Sequence, residues 1–168
     1  MTQTVLQNEI TELTPKSGVK VDQRRSIANA LGDVLADAFR LFINTQGLHW
    51  NVEGPMFYSL HKITESQYES LGESLDRIAE RIRALGLPAP ESIDEYKSRS
   101  VVEDLPRKVE LQARVERLVH DYEQAVIRAT RTAELAEEVG DIRSVDLLTR
   151  QVGDYEESAW MLRATIAS

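Results

Sequence analysis

Several residue types that support particular chemistries are absent or scarce in this sequence. There is no cysteine, which excludes disulfide bonds, zinc–thiolate sites and thiol catalysis. Only 8 glycines and 5 prolines interrupt 168 residues rich in leucine, alanine, glutamate and arginine, which is a helical composition. No apolar run approaches about 18 residues, and the N-terminus lacks a basic segment followed by an apolar one. We therefore expect a soluble, cytoplasmic protein with no membrane segment.

A cationic segment is also lacking. The formal net charge is -8, which argues against generic polyanion binding and is compatible with attraction of cations. Residues 1–21 are polar and aperiodic, with Pro15 and Gly18 as breakers, and they predict a mobile N-terminal tail. Its lysines, Lys16 and Lys20, are offset by acids, so the tail is not a basic arm.

Apolar residues recur at helical spacing in four long segments. Asp22 is expected to cap the first helix, and Gly54-Pro55 separates it from the second. Gly86 ends the second, Pro106 suggests the start of the third, and Gly140 ends it. The expected long helices span about 22–50, 57–85, 106–139 and 142–167.

The connections between these segments predict the topology. A short loop makes the first two helices antiparallel, whereas the connection after residue 86 is long enough to cross the bundle. Within it, Ser92 and Glu95 occupy the positions of a capping box, which predicts a short extra helix. The expected fold class is therefore all-α, a ferritin-like four-helix bundle that forms one domain over residues 22–168.

Histidine and carboxylate side chains lie along one stripe of the second helix, beside its apolar face. His61, Glu65, Asp76 and Glu80 share this stripe, and His49 at the end of the first helix should lie level with His61. Imidazole and carboxylate together form a ligand set for iron(II), manganese or zinc. The alternative is a solvated acidic face with histidines that have no metal.

The spacing along this stripe indicates more than one chain. Glu65 and Asp76 lie eleven residues apart, about 16 Å along the axis, so one helix cannot use both on one metal. If two copies cross antiparallel near Ser70 and Leu71, with Gly72 allowing close approach, each chain completes the other's site. The stripe therefore predicts a metal site shared between two chains of a homo-oligomer.

The stretch LHWNVEGPMFYSLHKITESQYESLGESLDRIAERIRAL at residues 48–85 closely resembles the Dps family, the miniferritins of the ferritin-like superfamily. AWMLRA at residues 159–164 resembles the family's closing motif, and the resemblance covers about residues 22–168. It implies a di-iron centre shared between two chains, in which zinc or manganese could substitute. The implied ligands are His49, His61 and Glu65 of one chain with Asp76 and Glu80 of the other. Glu65 stands where the family usually has aspartate.

The same resemblance implies an activity. Family members oxidise iron(II), usually with hydrogen peroxide, and store the ferric product in a hollow dodecamer, which protects the cell from oxidative damage. Trp50 would be the residue that traps oxidising radicals, although an anchor at the dimer contact is an equal alternative. Glu137, Asp141 and Asp146 match the acids of a three-fold pore, with Ile142 where some members have another acid. The alternative is ordinary helix-end acids, with Asp141 as a cap.

Two other functions remain open at this stage. Some family members coat DNA through a lysine-rich tail, so a nucleoid-associated protein that shields DNA is the second hypothesis. The balanced charge of this tail favours at most weak binding, because contact with phosphates requires clustered lysine or arginine. A purely structural cage would leave all five predicted ligands idle. His120 lies away from them, and we expect it to be a structural or surface residue.

Overall fold

The polypeptide folds into helices that pack side by side as a bundle. The computed structural model describes residue 15 and residues 18–167, so most of the predicted 1–21 tail lies outside the described residues. Within the described part there are five helices and no strands. They are α1 (Val21–Asn51), α2 (Phe57–Ala84), α3 (Ile93–Arg99), α4 (Leu111–Glu138) and α5 (Ile142–Ile166).

Two antiparallel hairpins make the bundle. The short break between α1 and α2 contains Gly54 at a φ of 87°, a left-handed conformation that glycine adopts without steric cost. Gly140, at a φ of 73°, allows the equally tight turn between α4 and α5. The α1–α2 and α4–α5 pairs pack most extensively, and α1 also packs on α4 while α5 packs on α2. The four long helices therefore enclose the buried interior of the bundle.

The core is divided along its length into two buried clusters. Leu48, Leu60 and Leu118 belong to the cluster nearest the α1–α2 turn, and Leu35 and Ile78 belong to the other. The apolar faces predicted for α1 and α2 are confirmed, since these residues are at most 2% exposed. Fully burying one such aliphatic side chain contributes about 1.5–3 kcal/mol to the free energy of folding. The two buried clusters are therefore the main source of the bundle's stability.

The connection between α2 and α4 crosses the bundle and is fastened to α1. Residues 99–105, which we call the strap, lie along the polar side of that helix. The Asp37 carboxylate accepts hydrogen bonds from Ser100 Oγ at 2.8 Å and Val101 N at 2.9 Å. Asn44 Nδ2 donates to the Glu103 carbonyl at 2.7 Å. The predicted short helix α3 is confirmed, and Ser92 caps it by accepting from the Glu95 amide.

Three sequence predictions need correction. α4 begins at Leu111, not near Pro106, because residues 106–110 are all exposed and Val109 contributes nothing to the core. The N-cap of α1 is Lys20 instead of Asp22, which lies in the first turn. A side chain at Gly72 would meet Phe42 of the same chain at 3.6 Å, so that glycine faces its own α1. Within residues 18–167, no helix has the length and apolar character needed to cross a membrane.

Candidate metal centre

The two predicted histidine ligands meet across the α1–α2 hairpin. Their imidazole rings stack with centroids 3.8 Å apart and planes 16° apart. His49 Nδ1 lies 2.8 Å from the His61 carbonyl oxygen, and His61 Nδ1 lies 3.1 Å from that of His49. A carbonyl only accepts, so each neutral ring carries its proton on Nδ1 and keeps a lone pair on Nε2. Both rings are therefore held in the tautomer that can bind a metal through Nε2.

Neighbouring aromatic rings hold this histidine pair in place. Phe57 stacks on His61 with centroids 5.0 Å apart, and Tyr68 meets His49 edge-on at 5.1 Å. His49 itself is only 6% exposed, whereas His61 is partly open to solvent. Rings held by packing in this way lose little further freedom when a ligand binds, which favours binding.

Glu65 lies one turn along α2 from His61, but it has a competing partner in its own chain. Lys62 Nζ donates to Glu65 Oε2 at 2.6 Å. This hydrogen bond and the charge of the ammonium lower the pKa of Glu65, and the two histidines act in the same direction more weakly. The side chain is therefore an anionic carboxylate at neutral pH, and a cation at this position would compete with Lys62 for it.

The carboxylates of Asp76 and Glu80 lie on the far half of α2. Both are exposed, and neither forms a hydrogen bond or ion pair with another described residue. Across the described residues, no three histidine or acidic side chains come close enough together to hold a metal ion. The structure thus brings His49 and His61 together with Glu65 nearby, and it leaves Asp76 and Glu80 apart from them.

Trp50 follows His49 directly but makes no ring contact with the histidine pair. Its side chain is 68% exposed, and it makes no ring contact with another aromatic residue among residues 18–167. An exposed tryptophan of this size at the end of a helix suits a contact with a partner or ligand.

The acids near the α4–α5 turn have different surroundings. Glu137 is exposed, and Asp146 accepts from Arg143 at 2.6 Å. Asp141 is only 3% exposed, accepts from Arg81 Nη2 at 2.7 Å, and caps α5. Burial acts to raise the pKa of Asp141, but hydrogen bonds from Arg81 and Ser144 outweigh it and lower that pKa. In this chain Asp141 has the capping role that the sequence left as an alternative.

Three neighbours of these residues were not singled out from the sequence. Lys62 had a signal, because a lysine three residues before a glutamate on one helix face forms an ion pair. Tyr68, seven residues after His61, lies on the same face and could have been found by that spacing. Arg81 pairs with an acid 60 positions away, and no local pattern predicts such a contact.

Comparisons with known proteins place these features in context. A family model described as a ferritin-like domain matches residues 28–168. The chain is 37% identical over 155 residues to an uncharacterized low temperature-induced protein of Nostoc, covering 89% of this chain and 84% of that protein. It is 31% identical over 140 residues to DNA protection during starvation protein 2 of Bacillus anthracis, covering 83% and 96%.

Solved structures give the same match. DpsC from Streptomyces coelicolor superposes with a TM-score of 0.89 and 25% identity, covering 97% of this chain and 96% of that one. The Dps protein of Vibrio cholerae O1 superposes with a TM-score of 0.83 and 28% identity, covering 89% and 94%. The latter is described as a member of a broad superfamily of ferritin-like diiron-carboxylate proteins.

Proposed function

Because this chain belongs to the Dps family of the ferritin-like superfamily, we propose that it is a ferroxidase and iron-storage protein. It oxidises iron(II), with hydrogen peroxide as the oxidant, and keeps the ferric product inside a hollow dodecamer in the cytoplasm. By removing both reactants it protects the cell from oxidative damage.

The reciprocal arrangement of His49 and His61 is the observation that carries this proposal. Two stacked imidazoles, each with Nδ1 directed at the other residue's carbonyl oxygen, present two Nε2 lone pairs at one end of α2. The other half of the same helix presents the carboxylates of Asp76 and Glu80 without partners in the chain. A second copy crossing antiparallel would join the two halves into two equal sites.

The ligand types suit the proposed reaction. Imidazole nitrogen and carboxylate oxygen both bind iron(II), and anionic oxygen stabilises iron(III) more strongly, which favours oxidation. Two iron(II) ions supply one electron each to one hydrogen peroxide, which takes up two protons and gives two water molecules. Reducing peroxide in this paired way avoids free hydroxyl radical. Zinc and manganese accept the same ligands, so they should compete with iron.

Other residues have proposed supporting roles. Trp50, next to His49 in the chain, is the candidate to donate an electron to any radical that escapes the centre. Glu137 and Asp146, exposed near the α4–α5 turn, are the candidates for an acidic ring that concentrates iron(II) at a pore. Asp141 belongs to that turn as well, although its carboxylate is engaged with Arg81.

A mixed-chain experiment tests the shared centre. One variant carries His61→Ala with Glu65→Ala, the other Asp76→Ala with Glu80→Ala, and each assembled alone should lose peroxide-dependent iron(II) oxidation. In a co-assembled dimer one of the two sites is intact, so activity should return. A sizing measurement near 228 kDa, for twelve chains of 19.0 kDa, verifies assembly. Verified mixed dimers without recovery would contradict the shared centre.

Direct DNA binding is the alternative function, because relatives are named DNA protection during starvation proteins. The predicted tail on which it depends lies outside the described residues. The net charge of -8 opposes binding to a polyanion, so we expect protection to act through iron removal. A gel-shift series at rising salt tests this expectation, and tight binding near physiological salt would contradict it.

A further inference from the structure

A groove of about 850 Å³ lies beside the end of α1, outside the histidine pair and its carboxylates. One wall is formed by the last turns of α1, including Ile43 and the exposed ring of Trp50. The other wall consists of Leu105 and Arg107, in the segment leading into α4, and Arg114 in the first turn of α4. A volume of this size is within the range of small-molecule sites, roughly 300–1,000 Å³.

The two arginines of this groove lack counter-ions. Within residues 18–167, neither Arg107 nor Arg114 forms an ion pair or a side-chain hydrogen bond. Arg114 is only partly exposed, and its Nε is buried without an acceptor. Burial lowers the pKa of Arg114, and the charge of Arg107 acts in the same direction. A guanidinium remains protonated despite such shifts, so the groove holds two positive charges close together.

The two acids that line the groove do not pair with these arginines. Asp104 is engaged by Arg40 Nη2, which lies 3.1 Å from its Oδ1. Glu53 is exposed at the rim and makes no hydrogen bond to either arginine. Among the charged groups that line the groove, two arginines and one acid, Glu53, therefore remain without an ion pair. A buried donor without an acceptor is costly, and an anion in the groove would remove that cost.

We propose that this groove binds a phosphate group, with the guanidinium groups of Arg107 and Arg114 as its ligands. Guanidinium donors are arranged in a planar fork that matches two oxygens of a phosphate, and charge-assisted hydrogen bonds of this kind are strong. The apolar wall formed by Ile43 and Trp50 would take up a planar group attached to the phosphate. The site accepts inorganic phosphate or the phosphate of a nucleotide, and it does not depend on the proposed iron chemistry.

Calorimetric titration of the assembled, iron-free full-length protein tests the proposal. Inorganic phosphate and a mononucleotide are titrated separately, so that the two sources of a phosphate group are distinguished. The test variant is Arg107→Gln with Arg114→Gln. The matched control is Arg131→Gln with Arg150→Gln, which removes the same charge from exposed positions on α4 and α5. Because iron is absent, the result does not depend on whether the protein is a ferroxidase.

We expect saturable binding of at least one of the two ligands, weakened at least tenfold in the test variant and unchanged in the control. Binding of the nucleotide alone would assign the apolar wall a share of the affinity. No binding of either ligand at about 1 mM, or equal binding by the test variant, would overturn the proposal. Equal weakening in the control would do so too, because net charge alone would then explain it. The single Arg107→Gln change, at an exposed position, should still weaken binding if the double variant misfolds.

Discussion

Removing the Asp141 carboxylate should strongly destabilise the protein at the α4–α5 turn. Asp141 is 3% exposed and its partner Arg81 has a side chain 16% exposed, so the pair is largely withdrawn from water. Asp141→Ala leaves the guanidinium without its 2.7 Å partner and α5 without its cap. Breaking a buried ion pair costs about 3–5 kcal/mol, and a lost cap costs about 1 kcal/mol. Because one carboxylate does both, we expect about 3–5 kcal/mol in total.

Thermal unfolding at one fixed protein concentration measures this loss, since assembly makes Tm depend on concentration. For a chain of this size about 1 kcal/mol corresponds to about 2–4 °C, so Tm should fall by about 6–20 °C. Asp141→Asn is the matched variant, because asparagine caps a helix equally well but cannot form an ion pair with Arg81. Asp141→Asn should therefore be about 1 kcal/mol more stable than Asp141→Ala.

The pH dependence gives a second measure of the same contact. The pKa of Asp141 is lowered in the folded protein, so its contribution is complete above the unfolded value of 3.8. That contribution is lost as the pH falls through the folded pKa, and the Tm difference between wild type and Asp141→Ala should shrink there. A Tm change below about 2 °C at neutral pH would refute the reasoning. Slower iron uptake by Asp141→Asn at unchanged Tm would instead indicate a pore residue.

Two further predictions concern single side chains. Lys62→Met should free the Glu65 carboxylate and strengthen iron(II) binding. The gain should be less than about tenfold, because exposed ion pairs are weak. Titration with iron(II), with Lys108→Met as the control variant, measures the change. Burial raises the pKa of Tyr122 to about 12, so stability should fall as the pH rises from about 10 towards that value. Tyr122→Phe should reduce this alkaline loss in urea denaturation at a fixed protein concentration, and an unchanged pH profile would contradict the assignment.

Much of the fold could be predicted from the sequence, because periodicity reports burial directly. The stripe through Leu31, Leu35 and Leu48 marks the buried face of α1, and all three are at most 2% exposed. The start of α4 could not be predicted in this way. Pro106 is compatible with a helix start, but the strap is held extended by Asn44, and no core contact stabilises a turn before Leu111. Tertiary hydrogen bonds there override the local signal.

The candidate site was predictable to the extent that it depends on spacing within one hairpin. His49 and His61 are twelve residues apart on antiparallel helices, and the structure stacks their rings as the geometry requires. The spacing of Lys62 and Glu65, three residues apart on one helix face, is also enough to predict their ion pair. The ion pair of Asp141 with Arg81 could not be predicted from the sequence, because no local sequence pattern links residues 60 positions apart. Contacts between copies remain predictions.

The strap has a consequence for the order in which the chain folds. Its hydrogen bonds to α1 join residues about 60 positions apart, whereas each helical hairpin closes over a short turn. Contacts between distant residues carry a larger loop-closure entropy, so the two hairpins should form before the strap docks. Weakening Asp37 or Asn44 should then hasten unfolding and leave the folding rate nearly unchanged. The strap would dock late in folding, and its hydrogen bonds would set the unfolding rate and therefore the lifetime of the folded chain.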